Sequence, residues 1–398
     1  MRLLHWYPNM SGGGGVARAL LALALHQARL GASVAVAMRK DSGEALYEPV
    51  ELEGVAAPFE WRPHRRIRVG KRLSIDFIDR RDVERLVGFQ PDVVHVHGEY
   101  NLNNLWVRRL FKCPIVLSPH GVFHPCLFQK AGRVGRLVYF HVARRMLYEF
   151  VARFHALSPM EADHIRKLLP SASIHCIPQG PSLSSIREGG CATPAREDGC
   201  LRLIFVGRLD VYTKGLDILL EGLAGLRGSV DAQRLSMVLV GPDWNGGEAW
   251  LRRRTRELGI DRQVVFTGPL AGSGVADALE QSDIYIQLSR NEGFPLSIAE
   301  ALLMGKPVIM SRAIGTASYP EVASLPHVRV VDPHPHEAAK AIVDSARRLI
   351  ELRQAAAGHR ESLRAFFSWD RVAKLHIQMY EGIIRGEGIT VAGNSPVF

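Results

Sequence analysis

Short apolar strands alternate with amphipathic helices twice along this chain of 398 residues, with one break between the two runs. The strands predicted in the first run lie near 2–7, 32–38, 92–97, 114–118, 153–157 and 173–177. Those predicted in the second run lie near 201–206, 235–240, 264–267, 283–288, 307–310 and 328–331. The residues between the runs, 181–200, combine Ser, Gly, Pro and charge and are typical of a linker. The alternation predicts parallel sheets covered by helices, and therefore two doubly wound α/β domains, 1–185 and 186–398.

Composition limits the class of protein. A hydrophobic content of 47% over this length supplies enough apolar residues for two cores of ordinary size. The apolar runs are shorter than the ~18 residues needed to cross a bilayer, and residues 1–8 read as a strand rather than a secretory signal, so a cytoplasmic protein is expected. The five cysteines are odd in number and lack a CxxC pair, which argues against a disulfide framework and a zinc site.

The positive charge of the chain is confined to its first half. Residues 1–190 hold 26 Lys and Arg against 16 Asp and Glu, which accounts for the whole net charge of +10. The excess is concentrated in 62–72 and along 130–153, where apolar residues interleave with arginines in a helical pattern. That helix could lie on an anionic membrane surface or pack on its own domain, and packing is the preferred interpretation. A nucleic-acid partner is not expected, because no aromatic stacking surface accompanies the arginines.

The segment 291–300, NEGFPLSIAE, sets Glu292 and Glu300 eight positions apart around a glycine and a proline. It follows a predicted buried strand and leads into an apolar helix, so it lies at the carboxyl end of a parallel strand, where open α/β sheets bind ligands. The two carboxylates can reach different hydroxyls of one extended ligand. The backbone N–H groups of Gly293, Phe294 and the first helical turn favour an anion at the same place. A polyhydroxyl compound that carries an anion, such as a nucleotide sugar, fits this pattern.

A second loop, from Gly207 to Gly215, follows the first strand of the second run. It carries Arg208 and Lys214 ahead of a helix predicted to begin near Gly215, and two cations above a helix N-terminus can hold a diphosphate. This loop and the segment 291–300 lie at the same edge of the predicted sheet. The two loops therefore indicate one site.

A glycine-rich loop at 11–17 follows the first predicted strand and opens a helix, so its backbone can approach a phosphate closely. Its spacing also fits a dinucleotide fingerprint, which raises the alternative of an NAD(P)-dependent dehydrogenase. The second strand, however, ends in Met38, Arg39 and Lys40 instead of the acidic residue that binds a ribose diol. Dinucleotide binding is therefore the less favoured interpretation.

Histidines cluster at the ends of two strands of the first run, as His95 and His97 and then as His120 and His124. Metal binding would need these imidazoles to converge with carboxylates, and strand-end histidines more often bond to nearby backbone, so no metal site is expected. His120 is the preferred functional candidate. The glycine after it permits close approach, and imidazole exchanges hydrogen bonds with sugar hydroxyls near neutral pH.

With the closing residues FSWD at 367–370, these motifs make the whole chain resemble a retaining glycosyltransferase of family 4, with the GT-B fold. The resemblance implies two Rossmann-like domains facing across a cleft and a last helix, about 370–386, that crosses back to the first domain. The catalytic residues it implies are His120, Arg208, Lys214 and Glu292. The donor-binding residues it implies are Gly14, Gly15, Gly207, Gly293, Phe294, Pro295, Leu296 and Glu300, with Glu300 on the ribose hydroxyls.

The resemblance implies transfer of a sugar from a UDP- or GDP-sugar to a saccharide or lipid-linked acceptor, in cell-surface polysaccharide synthesis. The basic charge of the first domain favours a lipid-linked saccharide at the cytoplasmic membrane face as the acceptor. Metal-independent front-face transfer with retention, and without a cofactor, is expected, while a double displacement through Glu292 stays open. One departure is that five residues separate Arg208 from Lys214, one more than in the commonest form of that loop, which leaves the reach of Lys214 open. A nucleotide-sugar 2-epimerase and a non-catalytic donor-binding scaffold are the alternatives.

Overall fold

The computed structural model describes ten stretches of the chain, which form two compact units. The stretches are 1–8, 15–39, 59–61, 63–69, 73–98, 101–125, 133–181, 200–227, 235–270 and 273–387. The first unit comprises the described residues within Met1–Leu157, Glu161–Pro178 and Trp369–Phe398. The second unit comprises those within Ser158–Met160 and Gln179–Ser368.

A parallel sheet of seven strands forms the centre of the first unit. The strands of this unit are β1 (Arg2–Trp6), β2 (Ser33–Arg39), β3 (Phe59–Trp61), β4 (Pro63–Val69), β5 (Leu73–Ile78), β6 (Val93–His97), β7 (Ile115–Ser118), β8 (Val151–Ala156) and β9 (Ile174–Cys176). The sheet has the order β3-β2-β1-β6-β7-β8-β9, whereas β4 and β5 pair antiparallel as a separate hairpin. All five residues of β6 are buried, because a parallel strand covered on both faces has no side toward water.

Helices cover this sheet with apolar faces. They are α1 (Gly15–Arg29), α2 (Arg80–Gly88), α3 (Val107–Leu110), α4 (Arg133–Met146) and α5 (Pro159–Leu168). Leu20 and Leu23 of α1 are buried, as are Ala162 and Ile165 of α5, at the three-residue spacing of a helix that packs along one stripe. Helix α2 begins after Asp79, whose carboxylate caps it by accepting from a backbone N–H of the first turn at 2.9 Å.

A six-stranded parallel sheet forms the centre of the second unit. Its strands are β10 (Leu201–Val206), β11 (Leu235–Val240), β12 (Val264–Gly268), β13 (Ile284–Gln287), β14 (Val308–Ser311) and β15 (Val328–Val331), in the order β12-β11-β10-β13-β14-β15. Its helices are α6 (Leu216–Gly225), α7 (Gly247–Leu258), α8 (Gly274–Glu280), α9 (Leu296–Leu303), α10 (Pro320–Ala323), α11 (Pro335–Arg347), α12 (Leu349–Gly358) and α13 (Arg360–Phe367). The strand order reverses between β10 and β13, and doubly wound sheets bind ligands at the carboxyl ends of the strands at such a point.

The last helix, α14 (Trp369–Ile384), belongs to the first unit. It packs against α1, where His26 Nδ1 lies 2.8 Å from Asp370 Oδ1 and the His26 ring stacks on Trp369. Farther along, the Tyr380 hydroxyl lies 2.6 Å from His95 Nδ1 of β6. The end of the chain therefore completes the core of the unit that the start of the chain builds.

The predicted fold class is confirmed. Each predicted strand is present within two residues of its expected ends, but β3 and the β4–β5 hairpin were missed. Strand β4 lies in the segment 62–72, which was interpreted as a basic cluster. Most of the predicted linker at 181–200 lies outside the described residues, so the boundary near 185 stays a prediction. Cys113, Cys176 and Cys200 form no disulfide among the described residues, and Cys126 and Cys191 lie outside the described residues. Within the described stretches, no helix has the length and apolar content to span a bilayer.

Candidate active site

The loop between β10 and α6 requires glycine at its last position. Helix α6 begins directly after Gly215, whose φ of 65° lies in the left-handed region. A Cβ at this position would lie 2.0 Å from the backbone oxygen of Leu288, just after β13. Only glycine therefore lets the loop come this close to the neighbouring strand. This close approach brings Lys214 to the loop that follows β13.

Lys214 and Glu292 form an ion pair between these two loops, in which Lys214 Nζ donates to Glu292 Oε2. Their side chains keep 13% and 23% of their surface exposed, so the pair is largely shielded from water and still open to a ligand. The loops follow β10 and β13, the adjacent strands at which the strand order reverses. The fold thus joins two candidate residues that lie 78 positions apart.

Arg290 fastens the same two loops to each other. Its guanidinium donates to both carboxylate oxygens of Asp217, at 2.7 and 2.8 Å, in a bidentate pair. It also donates to the backbone oxygen of Tyr212 at 2.8 Å and lies over the Tyr212 ring. The hydrogen bonds to Asp217 raise the pKa of Arg290. Sequence reasoning missed this pair, because neither residue stands in a motif and only the folded loops bring them together.

Arg208 lies exposed at the end of β10, with its guanidinium 4.2 Å from the centre of the Trp244 ring. Trp244 follows β11 and is itself 42% exposed, although its ring is large and apolar. Within the described stretches, no carboxylate forms an ion pair with Arg208, so its charge is available to an anion. Trp244 was not predicted, and the signal for it is an exposed aromatic residue in the loop after a central strand.

Backbone contacts fix the segment after β13 to the segment after β14. The Gly315 N–H donates to the Glu292 oxygen at 2.8 Å, and a Cβ at Gly315 would lie 1.9 Å from the Gly293 oxygen. Pro295 has an extended backbone, and α9 begins at the next residue, Leu296. The residues predicted to face the donor thus lie at the amino end of α9, where free N–H groups are found.

Phe294 and Glu300 are both 6% exposed. The Phe294 ring packs against the rings of Tyr319 and Phe367, with centroids 6.4 and 6.0 Å away, so its side chain belongs to the core and its backbone alone is left for a ligand. Glu300 lies inside α9 near Tyr285 of β13. Burial, and to a smaller extent the charge of Glu300, raises the pKa of the Tyr285 hydroxyl, which therefore stays protonated.

Three further candidates, Gly14, Gly15 and His120, belong to the first unit. Gly14 lies outside the described residues, and Gly15 is the exposed first residue of α1. His120 follows β7 with a φ of 56°, which is unusual for a residue with a side chain, and Gly121 continues the left-handed turn with a φ of 82°. His120 Nε2 lies 3.2 Å from His97 Nδ1.

One group in the described part of the chain has the spacing of a metal site. His5, His95 and His97 are buried, and each offers a ring nitrogen within 4.8 Å of the other two. Their nitrogens are engaged in hydrogen bonds, among them His5 Nε2 to Gln27 Oε1 at 2.7 Å and His95 Nε2 to Ser118 Oγ at 2.6 Å. The three histidines therefore form part of a hydrogen-bonded core.

Two family models match the chain. Residues 13–184 match the model for Glycosyltransferase Family 4, and residues 200–350 match the model for Glycosyl transferases group 1. The chain belongs to the group 1 glycosyltransferases of family 4. In this family 4 glycosyltransferase, the group 1 match contains the Lys214–Glu292 pair and Arg208.

Curated relatives are similar to this family 4 glycosyltransferase over part of their length. The GDP-mannose:cellobiosyl-diphosphopolyprenol alpha-mannosyltransferase of Xanthomonas oryzae pv. oryzae is 25% identical over 223 residues, 55% of this chain and 56% of that protein. The D-inositol 3-phosphate glycosyltransferase 1 of Catenulispora acidiphila is 29% identical over 59% of this chain and 58% of that protein. The phosphatidyl-myo-inositol mannosyltransferase of Mycobacterium leprae is 27% identical over 75% of each. The chain spans little more than half the length of the first two.

Solved structures share the fold along nearly the whole chain. Sucrose-phosphate synthase from Thermosynechococcus elongatus superposes with a TM-score of 0.75 at 20% identity, over 97% of this chain and 100% of that one. Anabaena HepE in complex with UDP and glucose superposes with a TM-score of 0.73 at 17% identity, over 96% of this chain and 100% of that one. The family 4 glycosyltransferase therefore has the GT-B fold that the sequence predicted.

Proposed function

We propose that this family 4 glycosyltransferase moves a sugar from a nucleoside-diphosphate sugar to a saccharide or lipid-linked acceptor, with retention of configuration at the anomeric carbon. The observation that carries the proposal is the Lys214–Glu292 ion pair at the switch point of the second sheet. It holds a cation suited to a diphosphate next to a carboxylate suited to sugar hydroxyls. The complex of HepE with UDP and glucose, and the relative named for GDP-mannose, support such a donor.

Donor binding exchanges the partners within this pair. A diphosphate carries more negative charge than one carboxylate, so it takes the place of Glu292 beside Lys214. The released Glu292 carboxylate then accepts hydrogen bonds from the sugar, while Arg208 supplies a second cation to the diphosphate. Glu300, in the following helix, takes the ribose hydroxyls. Each group thus has a separate part of one extended ligand.

In the proposed reaction the protein stabilises the developing charge and does not itself supply the nucleophile. Breaking the anomeric bond places negative charge on the leaving diphosphate, and cations held in position stabilise that charge in the transition state. Arg208 and Lys214 supply this charge, so we propose a transfer that is independent of metal. In front-face transfer the bond between the anomeric carbon and the diphosphate breaks, and the acceptor oxygen bonds to that carbon on the same face, which retains the configuration. The departing phosphate oxygen takes the proton of the acceptor hydroxyl.

The outer surface of α4 supports a membrane-bound acceptor. Tyr139, Phe140 and Ala143 of this helix are buried in the core of the first unit, as predicted. Its other face, however, exposes Val134, Leu137, Val138 and Val142, at 67%, 43%, 59% and 39%. Arg144 and Arg145 are exposed on the same helix. An exposed apolar row beside cations fits the interface of an anionic membrane, where a lipid-linked acceptor of a cell-surface polysaccharide would be found.

Transfer itself tests the proposal. The protein is incubated with UDP-glucose or GDP-mannose and with polyprenyl-diphosphate-linked or free saccharides. Released nucleoside diphosphate and the anomeric proton of the product are then followed by NMR. The proposal predicts an α-linked product from an α-linked donor, and a loss of at least tenfold in turnover in Arg208→Ala but not in Arg348→Ala, an exposed arginine of the same unit. Inversion at C2 of the donor sugar without transfer would instead establish an epimerase.

A further inference from the structure

Six histidines of the first unit lie in one cluster, and of these only His120 was predicted to be a site residue. The strands place them together, because His5 of β1 stands opposite His95 in the parallel register and β7 and β8 follow β6 in the sheet. His5, His95, His97, His155 and His376 are at most 4% exposed, and His120 is partly buried. So many buried imidazoles must be satisfied by each other or by neighbouring polar groups.

The cluster contains one continuous series of hydrogen bonds, here termed the histidine relay. Its outer half runs from His120 to Tyr380, through His120 Nε2 to His97 Nδ1 (3.2 Å), His97 Nε2 to His5 Nδ1 (2.9 Å), His5 Nε2 to Gln27 Oε1 (2.7 Å) and Gln27 Nε2 to the Tyr380 hydroxyl (3.4 Å). Its inner half runs from Tyr380 to Ile177, through the Tyr380 hydroxyl to His95 Nδ1 (2.6 Å), His95 Nε2 to Ser118 Oγ (2.6 Å), Ser118 Oγ to His155 Nδ1 (2.7 Å) and His155 Nε2 to the Ile177 oxygen (2.9 Å). The relay begins at a partly buried side chain and ends at a backbone carbonyl.

The Ile177 carbonyl determines the direction of the hydrogen bonds in the inner half of the relay, from Tyr380 to Ile177. The Ile177 carbonyl can only accept, so His155 carries its proton on Nε2 and accepts on Nδ1 from the Ser118 hydroxyl. The Ser118 oxygen then accepts from His95 Nε2–H. His95 Nδ1 in turn accepts the proton of the Tyr380 hydroxyl. Each group has one proton to give and gives it toward Ile177.

The outer half continues in the same direction. Because the Tyr380 proton is already used, its oxygen accepts from the Gln27 amide nitrogen, and the Gln27 oxygen accepts from His5 Nε2–H. His5 Nδ1 then accepts from His97 Nε2–H, and His97 Nδ1 accepts from His120 Nε2–H. The assignment reaches His120 without placing two donors or two acceptors face to face.

The relay requires every one of its imidazoles to be neutral, since an added proton would set two N–H groups against each other. Burial supplies this condition. It lowers the pKa of His5 and of His155 to about 4 and that of His120 to about 3, and it lowers the pKa of His95 well below its ordinary value. The relay is therefore neutral throughout the physiological range.

We infer that the histidine relay fixes the tautomer of His120, so that its proton stays on Nε2 and its Nδ1 can act only as a hydrogen-bond acceptor. Within the described part of the chain, no hydrogen bond uses His120 Nδ1. His120 and Gly121 form a left-handed turn after β7. His5, Gln27 and Tyr380 become positioning residues, because they set the tautomer of His120.

The tautomer is measured directly by long-range proton–nitrogen NMR of protein labelled with nitrogen-15 in its histidines, with His120 assigned by its loss in His120→Gln. Near neutral pH, the expected signal has a protonated Nε2 and a bare Nδ1. His5→Phe and Gln27→Met remove the acceptors that direct the outer half, so the His120 signal is expected to move toward an average of both tautomers. A wild-type His120 protonated on Nδ1, or an unchanged tautomer in both variants, would overturn the relay.

His376→Phe is the matched control. His376 is as buried as His5 and its ring lies at a similar distance from the His95 ring, 5.9 Å against 5.5 Å. Its Nδ1 bonds to the Val372 oxygen in its own helix, so it stands outside the relay. This variant is expected to keep the His120 tautomer and thereby to separate lost packing from a lost hydrogen-bond direction.

The tautomer is measured without turnover. An enzyme with no transfer activity would therefore reject the proposed function and leave the relay unaffected.

Discussion

Lys214 Nζ donates to Glu292 Oε2 across the point where the strand order of the second sheet reverses. Under the proposed function, the diphosphate of a donor competes with the Glu292 carboxylate for the Lys214 ammonium group. Without a donor, Glu292 neutralises this cation. We expect a bound donor to release the carboxylate to the sugar, so that binding of the diphosphate and binding of the sugar are coupled.

Neutralising Glu292 should separate binding from turnover. In Glu292→Gln, no carboxylate competes with the nucleotide for Lys214, so UDP or GDP should bind severalfold more tightly. The kcat with the full donor should fall at least a hundredfold, because the carboxylate that accepts hydrogen bonds from the sugar is gone. Calorimetry gives the first quantity and nucleotide release the second. Glu351→Gln, at an exposed pair with Arg348, should change neither. Weaker nucleotide binding in Glu292→Gln would argue against the competition.

Replacing either of two glycines of the α6 region by alanine should change the free energy of unfolding in opposite directions. Gly215→Ala places a Cβ 2.0 Å from the Leu288 oxygen at a positive φ, and we expect it to lower the free energy of unfolding by about 1 to 3 kcal/mol. Gly225→Ala, at the last turn of the same helix, meets no atom within 4 Å and should stabilise by about 0.5 to 1 kcal/mol. Thermal unfolding of the two variants checks this contrast. Equal effects would show that the loop relaxes around the new methyl group.

Trp244 is expected to affect nucleoside-diphosphate binding only through its contact with Arg208. The cation–π contact at this exposed position contributes about 0.5 to 1 kcal/mol, so Trp244→Leu should weaken nucleoside-diphosphate binding two- to fivefold. In an Arg208→Ala background the same change should have almost no effect, because the stacking partner is gone. Calorimetric titration of the double-mutant cycle measures this coupling. Additive losses would place Trp244 in direct contact with the nucleotide.

Acid should destabilise the protein through its buried histidines. Burial lowers the pKa of His327 from 6.5 to about 4, and the nearby charge of His359 is a smaller cause. Between these two pH values, His327 binds a proton in the unfolded chain but not in the folded chain. The stabilising contribution is complete above pH 6.5 and is lost between there and about pH 4, at about 1.4 kcal/mol per pH unit. Melting curves should therefore show His327→Leu losing less stability than the wild type over this range. Parallel pH profiles would contradict the shift.

Helix α4 should carry the protein to anionic membranes. Wild-type protein is expected to sediment with phosphatidylglycerol vesicles at low salt and to be released as salt screens the arginines. Leu137→Glu with Val138→Glu should abolish this binding, while Ile350→Glu, at a more exposed apolar position of the second unit, should not. Absence of sedimentation at low salt would count against a membrane-bound acceptor.

The sequence predicted the second sheet well, because each of its strands is a short apolar run closed by a turn. It also predicted that the loops of Lys214 and Glu292 would meet, since parallel strands in one doubly wound sheet end at a common edge. The Arg290–Asp217 pair was not predicted, because a bidentate pair depends on side-chain directions that sequence spacing does not encode. The arrangement of the histidine relay escaped for a similar reason: Tyr380 reaches His95 only because the last helix returns to the first unit.

Calorimetric titration of UDP, GDP, ADP and NADP measures whether the second unit binds a nucleoside diphosphate through Arg208 and Lys214. We expect tight binding of UDP or GDP, weakened at least tenfold in Arg208→Ala and unchanged in Arg348→Ala. Binding of NADP alone, at an affinity that Arg208→Ala leaves unchanged, would instead favour a dinucleotide-binding protein.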